Sequence, residues 1–272
     1  MRQLREQAGP ARGILRLPAK QGRHEHQRLL PRPDLRELVA HFWGVTWSVP
    51  TPQLVETLSH PTVHIVFEES AEGRRAEVAG IPRQKFSRVL SGSGRVFGIK
   101  LRPACFRAFH DAPAVRLTGQ VVPLDEVLGP AASALAEAIF EVPSFEHQVC
   151  VTETFLAERR VVVSRPLARL RDLVERVATD ATLLRVDELA RLMSVDVRTL
   201  ERRFRDAVGV SPKWVIRRYR LHEAALRLER GDTLTTVAHD LGYADQAHFA
   251  RDFKTAVGVS PVAFAKRSRE RR

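Results

Sequence analysis

The hexapeptide Ala207-Val-Gly-Val-Ser-Pro212 recurs without change as Ala256-Val-Gly-Val-Ser-Pro261, 49 residues further along a chain of 272. The match extends upstream. Leu200-Glu-Arg-Arg-Phe-Arg-Asp206 aligns with Phe249-Ala-Arg-Asp-Phe-Lys-Thr255, so Leu200 pairs with Phe249 and Phe204 with Phe253. Leu189-Ala190 matches Val237-Ala238 once one residue is inserted in the second copy. Self-similarity at such a period marks a supersecondary unit used twice, and it limits the last hundred residues to folds made of two equivalent pieces.

Each copy follows one local grammar. The pattern predicts a helix over 186–193 or 234–241, then a short turn, then a second helix with Asp196 or Asp245 placed to cap its free amides. That helix is expected to end at Gly209 or Gly258, where glycine adopts a left-handed conformation without a Cβ penalty. Ser-Pro then restarts the chain, with serine as N-cap and proline in the first helical position. Helix, tight turn and helix make the helix-turn-helix plan, in which the second helix enters the DNA major groove with its N-terminal residues first.

The faces of the second helices agree with this plan. In the first copy Val197, Leu200, Phe204 and Val208 are expected to face the core, and Arg198, Thr199, Glu201, Arg202 and Arg205 to face outward. In the second, Phe249, Phe253 and Val257 face inward, while Gln246, His248, Arg251 and Lys254 face out. Arginine donates two hydrogen bonds to guanine, and glutamine brackets adenine. A long helix expected over 211–231, with Trp214, Tyr219, Leu221, Ala225 and Leu228, would touch both units and hold them apart. One turn of B-DNA, about 34 Å, is the natural spacing.

Charge points the same way. The chain carries 44 Lys/Arg against 32 Asp/Glu, a net of +12. The ratio is 23 to 15 in residues 161–272 and 21 to 17 in residues 1–160, so the excess concentrates with the repeat. Such a balance favours nucleic acid or an anionic surface as partner. Hydrophobic residues make up 44 % and charged residues 28 %, enough apolar material for real cores. No run approaches the roughly 18 apolar residues of a membrane span, and no apolar block follows the basic N-terminus, which argues against a secretory signal. Cys105 and Cys150 make neither a disulfide framework nor a zinc set, and a reducing cytoplasm is the expected location.

Three regions are expected: a basic arm over 1–33, an α+β domain over 34–163 with a small antiparallel sheet, and an all-α double helix-turn-helix domain over 164–272. Residues 35, 38, 39 and 42 have helical spacing that runs toward a strand at 45–49. Strands are read at 62–67, 78–81 and 95–101, helices at 131–140 and 145–158. Ser91-Gly-Ser-Gly94 reads as a hairpin turn.

The C-terminal residues resemble a known family. Leu189-Ala190, Leu200, Arg203-Phe204, Gly209, Ser211-Pro212, Arg220-Leu221, Ala224, Val237-Ala238, Gly242-Tyr243, Phe249, Phe253-Lys254, Gly258 and Ser260-Pro261 resemble the DNA-binding domain of AraC/XylS-type bacterial transcriptional regulators. The resemblance covers residues 165–270. It implies a regulator that reads two successive major-groove segments of operator or promoter DNA, with readout on Arg198, Glu201 and Arg202 in the first unit and on Gln246, Ala247 and Arg251 in the second. The family often has an aromatic-Arg pair after the last Ser-Pro, where this chain has Phe264-Ala265; that leaves base reading in place. The first half is similar, through Leu38, Phe42-Trp43, His60-Pro61, His64-Ile-Val-Phe67, Gly80, Gly98, Lys100, Arg102-Pro103 and Phe106, to an uncharacterised α+β domain fused to some of these regulators. The resemblance leaves open a small-molecule effector, RNA polymerase and a second copy of the chain as further partners, with no membrane role.

Within the first half, Trp43, Trp47 and His64 are the candidates for an effector site, weighed against plain packing. His60 and His64 are i,i+4, but the proline between them argues against one helix face, and no metal site or cofactor is expected. Cys105 stands between Arg102 and Arg107, which could lower a thiol's pKa; a small buried residue is the simpler reading. Gly92, Gly94 and Gly98 miss the dinucleotide-binding spacing and read as turn glycines. Nothing in the sequence argues for an enzyme. The alternatives held against the regulator are a DNA-targeted enzyme with Cys105 as nucleophile, and a first half that only dimerises.

Overall fold

The computed structural model describes residues 6–9, 13–16 and 22–270. Its first half is an antiparallel sheet: β1 (Ile14–Arg16), β2 (Arg23–Leu29), β3 (Val39–Thr57), β4 (His64–Ser70), β5 (Gly73–Ala79), β6 (Phe86–Leu101) and β7 (Val121–Pro123). The strands run in the order β1-β3-β6-β4-β5-β7, with β2 also paired to β3. Three helices follow, α1 (Leu124–Leu128), α2 (Ala131–Glu141) and α3 (Phe145–Glu158). They cover one sheet face. Phe42, Ile65, Phe67, Phe97 and Ile99 pack there against Leu124, Leu135, Ile139 and Val149. Phe67 meets the edge of Phe140 at 6.3 Å, and Phe97 that of Phe145 at 5.9 Å.

Three expectations change here. The arm read over 1–33 is partly sheet, because β2 pairs with β3 from Arg23↔Ser48 to Leu29↔Phe42; residues 1–5, 10–12 and 17–21 lie outside the described residues. The helical spacing at 35, 38, 39 and 42 belongs to a short 3-10 turn at Pro33–Leu35 and then to β3. Pairing with β6, joined by β2 at Phe42, overrides the 3.6 period, and alternation places Phe42 and Trp43 on opposite faces. Ser91–Gly94 is no hairpin turn but lies inside β6. Opposite it, the register skips from Val49↔Gly92 to Gln53↔Leu90. Pro50 and Pro52, which have no N–H to give a ladder, occupy the skipped stretch.

The second half is helical: α4 (Arg165–Thr179), α5 (Val186–Leu192), α6 (Val197–Arg203), α7 (Pro212–Arg230), α8 (Leu234–Asp240), α9 (Gln246–Val257) and α10 (Pro261–Glu270). A π-type turn over Phe204–Val208 prolongs α6 to Gly209, whose amide donates to the Phe204 carbonyl at 2.8 Å. The helices build two cores. Leu170, Val174, Leu189, Leu200, Phe204, Val208, Val215 and Ile216 form one. Leu221, Leu228, Val237, Phe249, Phe253, Val257 and Phe264 form the other. The two halves share these cores, since Ile81 and Ala104 enter the first and Leu15 and Leu58 the second. No described helix is long and apolar enough to cross a membrane.

Candidate nucleic-acid interface

The two repeat units close in the same way. The Asp196 carboxylate accepts from the Thr199 amide at 2.7 Å and that of Asp245 from the His248 amide at 2.6 Å, so α6 and α9 start on equivalent caps. Both end on left-handed glycines, Gly209 at φ 97° and Gly258 at φ 88°. Ser211 caps α7 through the Trp214 amide, and Ser260 caps α10 through the Ala263 amide, each at 3.2 Å. Such caps bind donors that a helix leaves unsatisfied.

The 19-residue α7 is about 28 Å long at 1.5 Å per residue. Its first half enters the core of the first unit through Val215 and Ile216, its second half the core of the second through Leu221, Ala224 and Leu228. The shared helix makes one body of the two units. Tyr243 strengthens the second unit: its hydroxyl donates to Asp252 at 2.9 Å, and the same carboxylate pairs with Arg217 of α7.

The expected core positions Leu200, Phe204, Val208, Phe249, Phe253 and Val257 are buried, but Val197 is not. It occupies the first turn of α6 and remains 40 % exposed. On α6 and its extension, Arg198, Arg202 and Arg205 are exposed, while Thr199 and Glu201 are half-buried. The Thr199 hydroxyl is already engaged with Asp196 at 2.9 Å. On α9, Gln246, Ala247, His248, Arg251 and Lys254 are all exposed. Gln246 donates to the Thr235 hydroxyl of α8, and His248 lies edge-on to Tyr243 at 5.4 Å.

Residues 189–267 match the family model of a helix-turn-helix domain. Over 74 residues the chain is 38 % identical to the HTH-type transcriptional activator RhaS of Pectobacterium carotovorum, covering 27 % of this chain and 26 % of that one. It is 35 % identical over 113 residues to an AraC-like transcription regulator of Streptomyces lividans, covering 38 % of this chain and 36 % of the relative. Within the helical half, the chain is similar to a helix-turn-helix domain and to AraC-like transcription regulators. The chain thus spans about a quarter to a third of the length of these relatives. Residues 27–123 match a different model, a domain of unknown function (DUF6597). Among solved structures, ToxT of Vibrio cholerae aligns over 91 % of this chain and 98 % of its own, at 11 % identity and a TM-score of 0.42.

The sheet brings two of the three effector candidates together. The Trp43 indole donates from Nε1 to His64 Nδ1 at 3.2 Å. It lies across Gly98, where a Cβ would overlap the ring. Trp47 sits apart, buried with Val49 and Leu90, its Nε1 donating to the Ser91 carbonyl at 3.2 Å. His60 does not join His64; it stacks on His222 of α7 at 4.2 Å.

Residues that the sequence reading passed over complete this face. Register places His41 opposite Lys100 and Lys100 opposite His64, one rung across three strands. Arg28 stands on the next rung opposite Trp43, and its Nη2 lies 2.9 Å from His41 Nε2. Burial holds both imidazoles neutral, with His41 lowered to about 2 and His64 to about 3, and neighbouring Lys100 adds to each effect. Desolvation also lowers Lys100, to about 8. Only the alternation of one histidine and one lysine with apolar neighbours hinted at this rung.

The surroundings of Cys105 do not favour it as the nucleophile of the competing reading. It is buried, its thiol donates to the Glu37 carbonyl at 3.3 Å, and desolvation pushes it up to about 12. The arginines that could have lowered its pKa form other ion pairs, Arg102 with Glu175 and Arg107 with Asp206. A thiol so held is inert.

Proposed function

We propose that this protein is a sequence-specific DNA-binding transcriptional regulator. Its α6 and α9 read two successive major-groove segments, and an effector in the sheet half adjusts their availability. The observation that carries the reading is the equivalence of α6 and α9: two helices capped by aspartate, ended by left-handed glycine and fixed to one shared helix, each showing exposed cations. Arg198 and Arg202 in the first unit and Gln246 and Arg251 in the second supply the base-directed donors. Arg205 and Lys254, further along each helix, suit phosphates. Thr199 serves the α6 cap first. The reading places the protein in the bacterial cytoplasm, on the nucleoid, with RNA polymerase or a second copy as further partners.

Fluorescence anisotropy of the full chain tests this, with DNA from upstream of its own gene against scrambled DNA at two salt concentrations. Tight, salt-sensitive binding with preference for the upstream DNA is the expected result. No binding above that of a scrambled duplex, across genomic fragments enriched by the protein itself, removes the reading. Mass photometry of the complex counts the copies on each site.

A further inference from the structure

The sheet face opposite the helices carries an arrangement that folding alone disfavours. On the rung His41–Lys100–His64 the side chains of adjacent strands stand about 5 Å apart, since paired residues share a face. Arg28 is joined to His41 on the next rung through Nη2, and its Nη1 donates to the Gly9 carbonyl. Among the described residues, no hydrogen bond or ion pair reaches the Lys100 ammonium. The acid that acts on it electrostatically is Glu175 of α4, and both Glu175 oxygens are taken by Arg102, at 2.7 and 3.0 Å.

Donors therefore outnumber acceptors here. His64 Nδ1 accepts from Trp43, so its proton sits on Nε2 and that N–H is another donor. An unpaired cation in a desolvated setting works against folding. Such a violation of local economy is the mark of a functional site. Beside the donors lies apolar surface: Trp43, Val45, Val66 and Val96 share the face by register and are each half-buried rather than covered. The Trp43 indole lies flat over this surface because Gly98 leaves the space beneath it empty.

We propose that this face binds a small organic anion, its oxyanion head held by Lys100, Arg28 and His64 and its apolar body resting on Trp43. A carboxylate and a phosphate monoester share the required head-group chemistry, both accepting charge-assisted hydrogen bonds from such donors. The inference rests on the reading of the sheet half as the effector-responsive half and names the ligand class for it. The site is also placed to matter: the head group would sit within the field of Glu175, the residue that ties the sheet to α4.

The test is a thermal-shift and calorimetric titration of the full chain with benzoate, phenyl phosphate and inorganic phosphate, with benzyl alcohol as neutral control and chloride matching ionic strength. Benzoate or phenyl phosphate is expected to bind saturably and raise Tm, and benzyl alcohol to do neither. Benzoate against phenyl phosphate identifies the preferred head; binding of inorganic phosphate as tight as that of phenyl phosphate would remove the apolar part of the proposal. Lys100→Met should melt higher than wild type without ligand, because an unpaired cation is gone, and should lose at least tenfold in affinity. Arg28→Met should lose affinity likewise, which guards against a misfolded single variant. Absence of saturable binding, or equal affinity in wild type and Lys100→Met, overturns the proposal. DNA binding does not enter this readout, so a chain that failed to recognise DNA would still give a clear answer here, and the reverse.

Discussion

Arg102, at the end of the longest inner strand pair, holds Glu175 of α4 through two parallel hydrogen bonds of 2.7 and 3.0 Å. It is one of a set. The Thr118 hydroxyl donates to the Gly209 carbonyl at 2.6 Å, at the end of the first reading helix. Arg171 of α4 donates to the Glu37 carbonyl at 2.9 Å, and Arg218 of α7 to the Arg83 carbonyl at 3.2 Å. The sheet half thus holds the helical half at α4, at the end of the first unit and along α7.

The Arg102–Glu175 pair should contribute modestly. Both side chains are about one-third exposed, so solvent screens them. A double-mutant cycle with Arg102→Met and Glu175→Gln is expected to give a coupling of about 1 kcal/mol, the upper end for exposed pairs because the geometry is bidentate. Urea denaturation measures it; zero coupling would mean the contact is incidental.

Gly98→Ala should destabilise the sheet by about 1–3 kcal/mol, because the new methyl occupies the volume of the Trp43 ring and forces it off the strand. The Trp43–His64 hydrogen bond goes with it. A red-shifted tryptophan emission alongside a lower Tm would report both; an unchanged spectrum would refute the close approach.

Acid should unfold the chain early. His41 and His64 are held near 2 and 3 when folded, below the usual 6.5. The unfolded chain therefore takes up these two protons first as pH drops. Stability is full above about 6.5 and declines through the window down to the folded values, by about 1.4 kcal/mol per pH unit per histidine. Denaturant titrations from pH 7 to about pH 5 should show it, with a shallower slope in His64→Gln. An identical slope in that variant would count against a neutral buried imidazole.

Asp196→Ala and Asp245→Ala should each remove about 1 kcal/mol by leaving a first-turn amide unsatisfied. Because the caps also organise the reading helices, DNA affinity should fall beyond what thermal stability explains. Melting curves read beside anisotropy at a temperature well below Tm separate the two effects.

Arg251→Ala should weaken a specific site by about 1–3 kcal/mol and relax preference at one base position, as expected for a side chain exposed on the leading turns of α9. Competition against single-base variants of the site tests it. A uniform loss on every sequence would make Arg251 a phosphate contact instead.

The sequence alone determined the helical half. Its caps act across three residues, Asp196 on Thr199 and Asp245 on His248, and its stop signals are single glycines. Such signals are local, so spacing and residue type carry them, and a 49-residue repeat states them twice. The charged faces of α6 and α9 followed from the same period, with Val197 missed because exposure of a first turn depends on what lies beside it. The sheet half was decided by tertiary structure. Residues 35–42 keep a helical spacing, yet Val39–Phe42 became strand once β6 paired with it and β2 joined at Phe42. The glycines at 92 and 94 look like a turn and stand in a strand; at Gly94 the Trp47 ring, far away in sequence, occupies the space a Cβ would take. The Lys100 rung is the plainest case. Its members come from β3, β6 and β4, and only the register of three strands makes neighbours of residues 41, 64 and 100. Pairing across a sheet is set by non-local hydrogen bonds and by the burial of one whole face, and no window of sequence contains either.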